Sequence, residues 1–131
     1  MKVVNTPLEG CLIIEPKVFK DERGYFFESF HAARFAECTG IETAFVQDNQ
    51  SFSRYGTIRG LHFQEPPYAQ AKLVRALEGK ILDVVVDLRE NSKSFGQSFS
   101  IVLSAENFLQ LYVPKGMAHG FSVLSQTALV N

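Results

Sequence analysis

The chain has 131 residues, of which 46% are hydrophobic and 21% are charged, and its formal net charge is −1. This length fits one domain, so residues 1–131 are predicted to form a single domain. A net charge near zero provides no long-range field to attract nucleic acid or an anionic membrane, and neither is expected as a partner. The N-terminus lacks the apolar core of a signal peptide. Cys11 and Cys38 are too few and too far apart in sequence to suggest a disulfide framework, and they form no CxxC pair, which suits a reducing cytoplasm.

Short runs of alternating apolar and polar residues dominate the chain and predict β-strands. One short helix is predicted near HAARFAECTG, with Gly40 as its C-terminal stop. Eight or more short strands separated by turn sequences predict an all-β fold, a jelly-roll β-barrel that can enclose one small ligand. In chain order the predicted strands cover residues 11–15, 24–30, 44–52, 57–63, 71–79, 81–89, 99–104, 108–114 and 119–125.

The strand at residues 81–89, ILDVVVDLR, carries two aspartates among apolar residues. Asp83 and Asp87 share one face with Ile81 and Val85, because successive side chains alternate between faces. One aspartate is expected to face inward and orient a histidine. Asp87 is expected to be exposed to solvent.

The last residues, TALVN, form an apolar run with no polar tail. A strand ending there would present an unpaired edge, which proteins normally protect. This predicts that the sequence is a fragment or that another chain covers the edge.

Two histidine motifs suggest a ligand site inside the barrel. Pro114, Gly116 and His119 fit the P-x-G-x-x-H motif of the cupin superfamily, which this sequence resembles. The other cupin motif places H-x-H before a Glu, but here His62 is followed by Gln64 and then by Lys72. An ammonium has no lone pair to give and repels a metal ion. A catalytic metal is therefore not expected.

The histidines and the neighbouring cations could act without a metal. His62 is either a general base or a packed core histidine, and Arg59 and Lys72 could stabilise an enolate oxygen, grip a phosphate or simply be solvated. On a flat strand Arg59 and His62 would point to opposite faces, so Gly60 is predicted to mark a bulge. His119 could bond a ligand carbonyl or diphosphate, or cap its turn.

The N-terminal part offers further binding groups. In DERGYFFES, Arg23 and Glu28 flank three consecutive aromatic residues. A nucleotide site needs these residue types, although the same string also suits an edge strand packed on another subunit. Gln47, Asp48 and Asn49 supply short polar groups for a ligand but are also common in turns.

Together these strings resemble one family, the dTDP-4-dehydrorhamnose 3,5-epimerases, over essentially the whole chain. The resemblance is carried by EPKVFKDERGYFFESF, FVQDNQS, RGLHFQ, KLVRALEGKILDVVVDLRENSKSFGQ and LSAENFLQLYVPKGMAHGF. It implies a cupin jelly roll, a homodimer that exchanges N-terminal strands, and no metal or organic cofactor. It also implies epimerisation at C3 and C5 of a dTDP-4-keto-6-deoxyhexose through enolate intermediates.

The resemblance assigns roles to residues that match the family's motifs. His62 is the implied base, and Lys72 is the cation that stabilises the enolate. The implied dTDP-sugar-binding residues are Arg23, Glu28, Gln47, Asp48, Asn49, Arg59 and His119.

The resemblance also implies what this sequence lacks. The family's acid, a tyrosine on the face opposite the base, aligns immediately after Asn131. A thymine-stacking tyrosine and the aspartate that orients the base align further downstream. The chain is therefore expected to lack the family's C-terminal segment and to be impaired in inversion.

Three alternatives remain open. A dTDP-4-keto-6-deoxyglucose 3,4-ketoisomerase would move the carbonyl, whereas an epimerase leaves it at C4. A non-catalytic cupin would bind the dTDP-sugar without exchanging its C–H protons. A metal-dependent oxygenase would contain stoichiometric iron.

Overall fold

The computed structural model describes residues 1–42 and 44–131. Strands account for most of the regular structure. In chain order the elements are β1 (Lys2–Asn5), β2 (Leu12–Glu15), β3 (Val18–Asp21), β4 (Gly24–Phe27), α1 (Ala32–Thr39), β5 (Ser51–Arg54), β6 (Ile58–His62), β7 (Lys72–Glu78), β8 (Lys80–Asp87), β9 (Ser98–Ser104), β10 (Gln110–Val113), β11 (Met117–Val123) and β12 (Thr127–Val130).

Two antiparallel sheets form the barrel. The larger sheet has the strand order β1-β2-β10-β7-β12-β5, and the smaller has the order β6-β11-β8-β9. Strands β3 and β4 form a separate hairpin. Many neighbouring strands are distant in sequence, as in a jelly roll, where long connections carry the chain between sheets. The prediction of an all-β jelly-roll barrel with one short helix is confirmed.

The apolar inner faces of the two sheets form the main core. Ile81 and Val85 of β8 lie in one buried cluster with Leu103 of β9 and Leu111 of β10. Each of these side chains is fully buried. Because burial of apolar area is the main favourable term in folding, this layer holds the two sheets together.

Helix α1 covers the opposite face of the larger sheet. Phe35 of α1 packs on Tyr112 of β10, with ring centroids 5.6 Å apart. His31 precedes the helix, and its ring accepts a hydrogen bond from the Arg34 backbone N–H. Gly40 ends the helix with φ 71°, which confirms the predicted stop, since glycine adopts this conformation at little cost. No helix in the described ranges is long and apolar enough to span a bilayer.

Strand boundaries differ from the sequence prediction in several places. Residues 44–50 lie outside the strands, and β5 begins only at Ser51. Strands β1 and β3 were not predicted from the sequence. The TALVN run was expected at a sheet edge, but β12 pairs with β5 on one side and β7 on the other. That expectation is wrong because both partners come from this chain.

The buried face of β8 is the face with the two aspartates. Asp87 is fully buried, so the expectation that it is exposed is wrong. Its carboxylate accepts hydrogen bonds from Arg89 at 2.7 Å and from the hydroxyls of Ser92 and Ser94 at 2.6 Å each. These donors offset the cost of removing the charge from water. Asp87 thereby anchors the loop between β8 and β9.

The Asp87 network makes stability depend on pH. The hydrogen bond from Arg89 holds the pKa of Asp87 well below its ordinary 3.8. A carboxyl whose pKa is lower when folded stabilises the fold above its unfolded pKa, and this contribution is lost as pH falls through the folded pKa. We expect Asp87→Asn to lower the free energy of unfolding at neutral pH by about 1–3 kcal/mol. Between about pH 6 and pH 3 the variant should lose less stability than the parent chain.

Urea titrations at several pH values measure this effect. The matched control is Asp21→Asn, which removes an exposed ion pair with Arg23 and should change stability far less than Asp87→Asn does, because solvent screens an exposed pair. Parallel pH profiles for the parent chain and Asp87→Asn would contradict the role given to this carboxylate.

Candidate active site

A cavity of about 760 Å³ opens between the two sheets. Its walls come from β6, β7, β10 and β11 and from the segment before β5. This volume is within the range of about 300–1,000 Å³ that holds a small-molecule ligand. Seven of the nine site residues predicted from the sequence line it: Gln47, Asp48, Asn49, Arg59, His62, Lys72 and His119.

A bulge in β6 turns Arg59 and His62 toward the same cavity. His62 pairs with His119 and Arg59 with Phe121, so two residues of β6 oppose the single residue Gly120 of β11. The extra residue shifts the alternation of side chains. The predicted bulge at Gly60 is therefore confirmed.

Gly60 also lies too close to β11 for a side chain. A Cβ at this position would lie 2.5 Å from the His119 carbonyl oxygen, and the backbone has φ +95°. Glycine tolerates both the contact and the dihedral because it lacks a Cβ. The register of His62 against His119 depends on this residue.

Lys72 approaches His62 from the opposite sheet. Lys72 begins β7 of the larger sheet and His62 ends β6 of the smaller one, and Lys72 Nζ lies 3.3 Å from His62 Nε2. An ammonium can only donate a hydrogen bond, so His62 Nε2 accepts and the ring carries its proton on Nδ1. This contact describes a neutral imidazole with its lone pair in the cavity.

Both members of this contact have shifted pKa values. The Lys72 charge, followed by burial and the His119 ring, lowers the pKa of His62 below its ordinary 6.5. Burial lowers the pKa of Lys72, and the negative charge of Asp83 opposes that effect. The arrangement favours an unprotonated base beside a cation, which suits proton removal from carbon next to a carbonyl group.

Arg59 bridges the edges of the two sheets. Its Nε donates to Ser53 Oγ at 2.8 Å, and its Nη2 donates to the Phe52 carbonyl oxygen at 3.4 Å. Both acceptors belong to β5 of the larger sheet, whereas Arg59 belongs to β6. These bonds leave other guanidinium donors for an anionic ligand.

The segment before β5 is held on the cavity wall by side-chain amides. Gln47 Nε2 donates to Asn49 Oδ1 at 3.1 Å, and Gln70 Nε2 donates to Gln47 Oε1 at 3.4 Å. Asn131 Nδ2 donates to Asp48 Oδ1 and to the Asn49 carbonyl oxygen. Polar groups in residues 47–49 thus line the cavity although they are not part of a strand.

His119 has a carboxylate partner behind it. Its Nε2 lies 2.8 Å from Asp83 Oδ1, and both residues are buried. Burial raises the pKa of Asp83, while the hydrogen bond with His119 and the charge of Lys72 oppose this rise. The expectation that one aspartate faces inward and orients a histidine is confirmed, and that histidine is His119.

Arg23 and Glu28 do not line this cavity in the described part of the chain. Arg23 pairs with Asp21 at 2.6 Å in the turn of the β3–β4 hairpin, and Glu28 pairs with Arg34 of α1 at 2.5 Å. Their assignment as binding residues stays a prediction.

Some cavity residues were not identified from the sequence. Gln110 is buried, and its Nε2 donates to the Ser29 carbonyl oxygen at 2.9 Å. A glutamine inside the apolar run FLQLYV was the available signal. In residues 1–42 and 44–131, no three His, Cys, Asp or Glu side chains are grouped as metal ligands.

The bulge generates a stability prediction. Gly60→Ala should cost roughly 1–2 kcal/mol for a left-handed alanine and about 1–3 kcal/mol more for the overlap with β11. The control is Gly56→Ala, because Gly56 has φ +76° but, apart from its chain neighbours, no atom within 4 Å of an added Cβ. Chemical denaturation should therefore show the larger loss for Gly60→Ala. Equal losses would mean that the close approach to His119 has no energetic consequence.

Comparison with known proteins places the chain among sugar-nucleotide enzymes. A family model described as dTDP-4-dehydrorhamnose 3,5-epimerase matches residues 5–131. The dTDP-4-dehydrorhamnose 3,5-epimerase of Escherichia coli K12 is 52% identical over 128 residues, which cover 98% of this chain and 69% of that protein. The Shigella flexneri enzyme of the same name is 53% identical, with coverages of 98% and 71%.

Solved structures give the same result. The crystal structure of dTDP-4-dehydrorhamnose 3,5-epimerase from Elizabethkingia anophelis matches with a TM-score of 0.95 and 59% identity, covering 99% of this chain and 71% of that one. A dTDP-6-deoxy-D-glucose-3,5-epimerase from Legionella pneumophila, in complex with dTDP-4-keto-L-rhamnose, matches with a TM-score of 0.93 and 49% identity. The coverages there are 98% and 68%.

Proposed function

The chain belongs to the dTDP-4-dehydrorhamnose 3,5-epimerase family, and we propose that it removes protons at C3 and C5 of a dTDP-4-keto-6-deoxyhexose. The observation that carries this proposal is the Lys72–His62 contact inside the cavity. It joins an unprotonated imidazole to a cation, the two groups that enolisation beside a ketone requires.

In the proposed step His62 Nε2 takes the proton from the carbon next to the C4 ketone. The C–H electron pair moves into a carbon–carbon double bond, and the carbonyl oxygen becomes an enolate. Binding of the ketone first moves the Lys72 hydrogen bond from His62 Nε2 to the carbonyl oxygen, and Lys72 then stabilises the negative charge that forms there. A bound ketone therefore releases His62 Nε2 from the Lys72 hydrogen bond and accepts that hydrogen bond itself.

Inversion requires the proton to return on the opposite face. In the family that this sequence resembles, a tyrosine has this role. In this proposal His62 and Lys72 carry out proton removal and enolate stabilisation. Exchange with solvent at C3 or C5 is therefore the reaction that most directly reports on them.

The nucleotide part of the ligand needs cations and polar groups. Arg59 presents guanidinium donors to the cavity, and residues 47–49 present amide and carboxylate groups. The Legionella relative binds dTDP-4-keto-L-rhamnose, and a Bacillus anthracis relative 48% identical to this chain binds TDP and pyrophosphate. These complexes support a dTDP-sugar as the substrate of this chain, with no cofactor required by the proposed step.

We also propose a homodimer that exchanges N-terminal strands. The β3–β4 hairpin is separate from both barrel sheets and exposes Phe19, Tyr25 and Phe26, the last with 72% of its surface accessible. Exposed aromatic clusters are typical of interfaces. In such a dimer Arg23 and Glu28 would bind the dTDP-sugar in the partner's cavity and not in the cavity of their own chain.

A cytoplasmic location is part of the same proposal. Cys11 and Cys38 are both free thiols, the first buried and the second exposed. Free cysteines are usual in a reducing compartment.

Deuterium exchange tests the proposed role of His62. The chain is incubated in D₂O with dTDP-4-keto-6-deoxyglucose, and NMR follows deuterium at C3 and C5. His62→Gln should reduce exchange by at least about 100-fold, because it removes the base. The affinity for dTDP, measured by calorimetry, should stay within about threefold because the base does not hold the nucleotide.

The matched control is His31→Asn, which replaces an exposed histidine by a residue that also caps helices. Exchange in this variant should equal that of the parent chain. Retained exchange in His62→Gln would refute His62 as the base. Tight dTDP binding without any exchange in the parent chain would support a non-catalytic binding protein, and a carbonyl that moves to C3 would support a ketoisomerase.

A further inference from the structure

The most deeply buried ionisable pair in the cavity wall is Asp83 with His119. Asp83 is fully buried on β8, and His119 lies beside it on the neighbouring strand β11. His119 Nε2 and Asp83 Oδ1 are 2.8 Å apart. His119 also lines the cavity, so it contacts a carboxylate on one side and the ligand space on the other.

Burying a carboxylate here is costly, and the structure only partly compensates for it. Asp83 Oδ2 has no hydrogen-bond partner in the described part of the chain. The cost could be avoided by an apolar residue, because Ile81 and Val85 fill the same face of β8. A purely structural role therefore does not explain why a carboxylate is buried at position 83. Its contact with His119, which lines the cavity, does explain it.

The ring nitrogens of the two cavity histidines are arranged in opposite ways. His62 directs Nε2 at Lys72, a donor, so that nitrogen accepts. His119 directs Nε2 at Asp83, an acceptor when ionised, so that nitrogen donates. The hydrogen bond at one ring nitrogen determines which nitrogen is left for a ligand.

We propose that Asp83 is a positioning residue that fixes the proton of His119 on Nε2, so that Nδ1 accepts a hydrogen bond from a hydroxyl group of the bound sugar. This inference rests on the proposed function for the identity of the ligand. Nε2 is occupied by the carboxylate, and Nδ1 is the remaining polar atom of a ring that borders the cavity. A neutral imidazole presents a lone pair there, and a hydroxyl is the donor that a hexose supplies.

Asp83 also affects the other side of the cavity. Its negative charge opposes the lowering of the Lys72 pKa by burial, which helps keep that amine charged. A single carboxylate behind the cavity wall therefore sets the tautomer of one ligand-facing group and supports the charge of another. Neither effect requires Asp83 to touch the ligand.

The first test is spectroscopic and needs no turnover. Long-range ¹H–¹⁵N correlation spectra of the parent chain, labelled at histidine, should show His119 protonated on Nε2 at neutral pH. Asp83→Asn should give a mixture of tautomers, because an amide can either accept or donate. Protonation of His119 on Nδ1 in the parent chain, either alone or together with Nε2, would overturn the proposal, even if the variant fails to fold.

The matched control is Asp87→Asn. Asp87 lies four residues along the same buried face of β8, and its partners are Arg89, Ser92 and Ser94 rather than a histidine. This variant removes a buried charge from the strand but should leave the His119 spectrum unchanged. The same change of tautomer in both variants would mean that the effect comes from disturbing β8, which would also overturn the proposal.

The second test is a comparison of two ligands by calorimetry. Asp83→Asn should weaken binding of dTDP-glucose by about three- to tenfold, the effect of losing one hydrogen bond. Its affinity for dTDP, which has no hexose, should not change. Equal weakening for both ligands would place His119 at the diphosphate and overturn the sugar contact.

Failure of the proposed function can be distinguished from failure of the role proposed for Asp83. If the parent chain binds neither ligand, the proposed function and the sugar contact are both wrong. The tautomer measurement still decides whether Asp83 fixes the imidazole, because it requires no ligand.

Discussion

The contact between Lys72 and His62 joins the two halves of the barrel at the place where chemistry is proposed. Each residue lies at the end of a strand, and the two strands belong to different sheets. The contact therefore exists only when both sheets are correctly packed. An ammonium close to an imidazole disfavours a second positive charge, which keeps the ring neutral and able to accept a proton. The same ammonium is available to an enolate oxygen once a ketone is bound.

The scaffold around this contact depends on two unusual features of the smaller sheet. The bulge at Gly60 allows Arg59 and His62 to reach one cavity, which a regular strand would not allow. Strand β8 carries two buried carboxylates with different partners: Asp83 bonds a cavity histidine, and Asp87 anchors a loop through Arg89 and two serines. One alternating strand thus supports both the site and the loop between β8 and β9.

Sequence reasoning could predict features that depend on local pattern or on matched motifs. The many short alternating runs predict the jelly roll. Gly60 predicts the bulge, because Arg59 and His62 could not both face one cavity from a regular strand. The interior position of β12 could not be predicted, because pairing with β5 and β7 is set by tertiary structure. Burial of Asp87 was missed for a related reason: its compensating donors, Ser92 and Ser94, come from a loop whose folding the strand pattern does not describe.

Titration of the His62 ring by NMR tests the central claim most directly. We expect a midpoint below the ordinary value of 6.5 in the parent chain, because the Lys72 charge disfavours the imidazolium. Replacing the cation in Lys72→Met should move the midpoint upward, whereas Lys80→Met, which removes an exposed lysine at the start of β8, should leave it unchanged. A midpoint at or above 6.5 in the parent chain, or one that Lys72→Met does not move, would contradict the account of His62 as a base kept neutral by its neighbour.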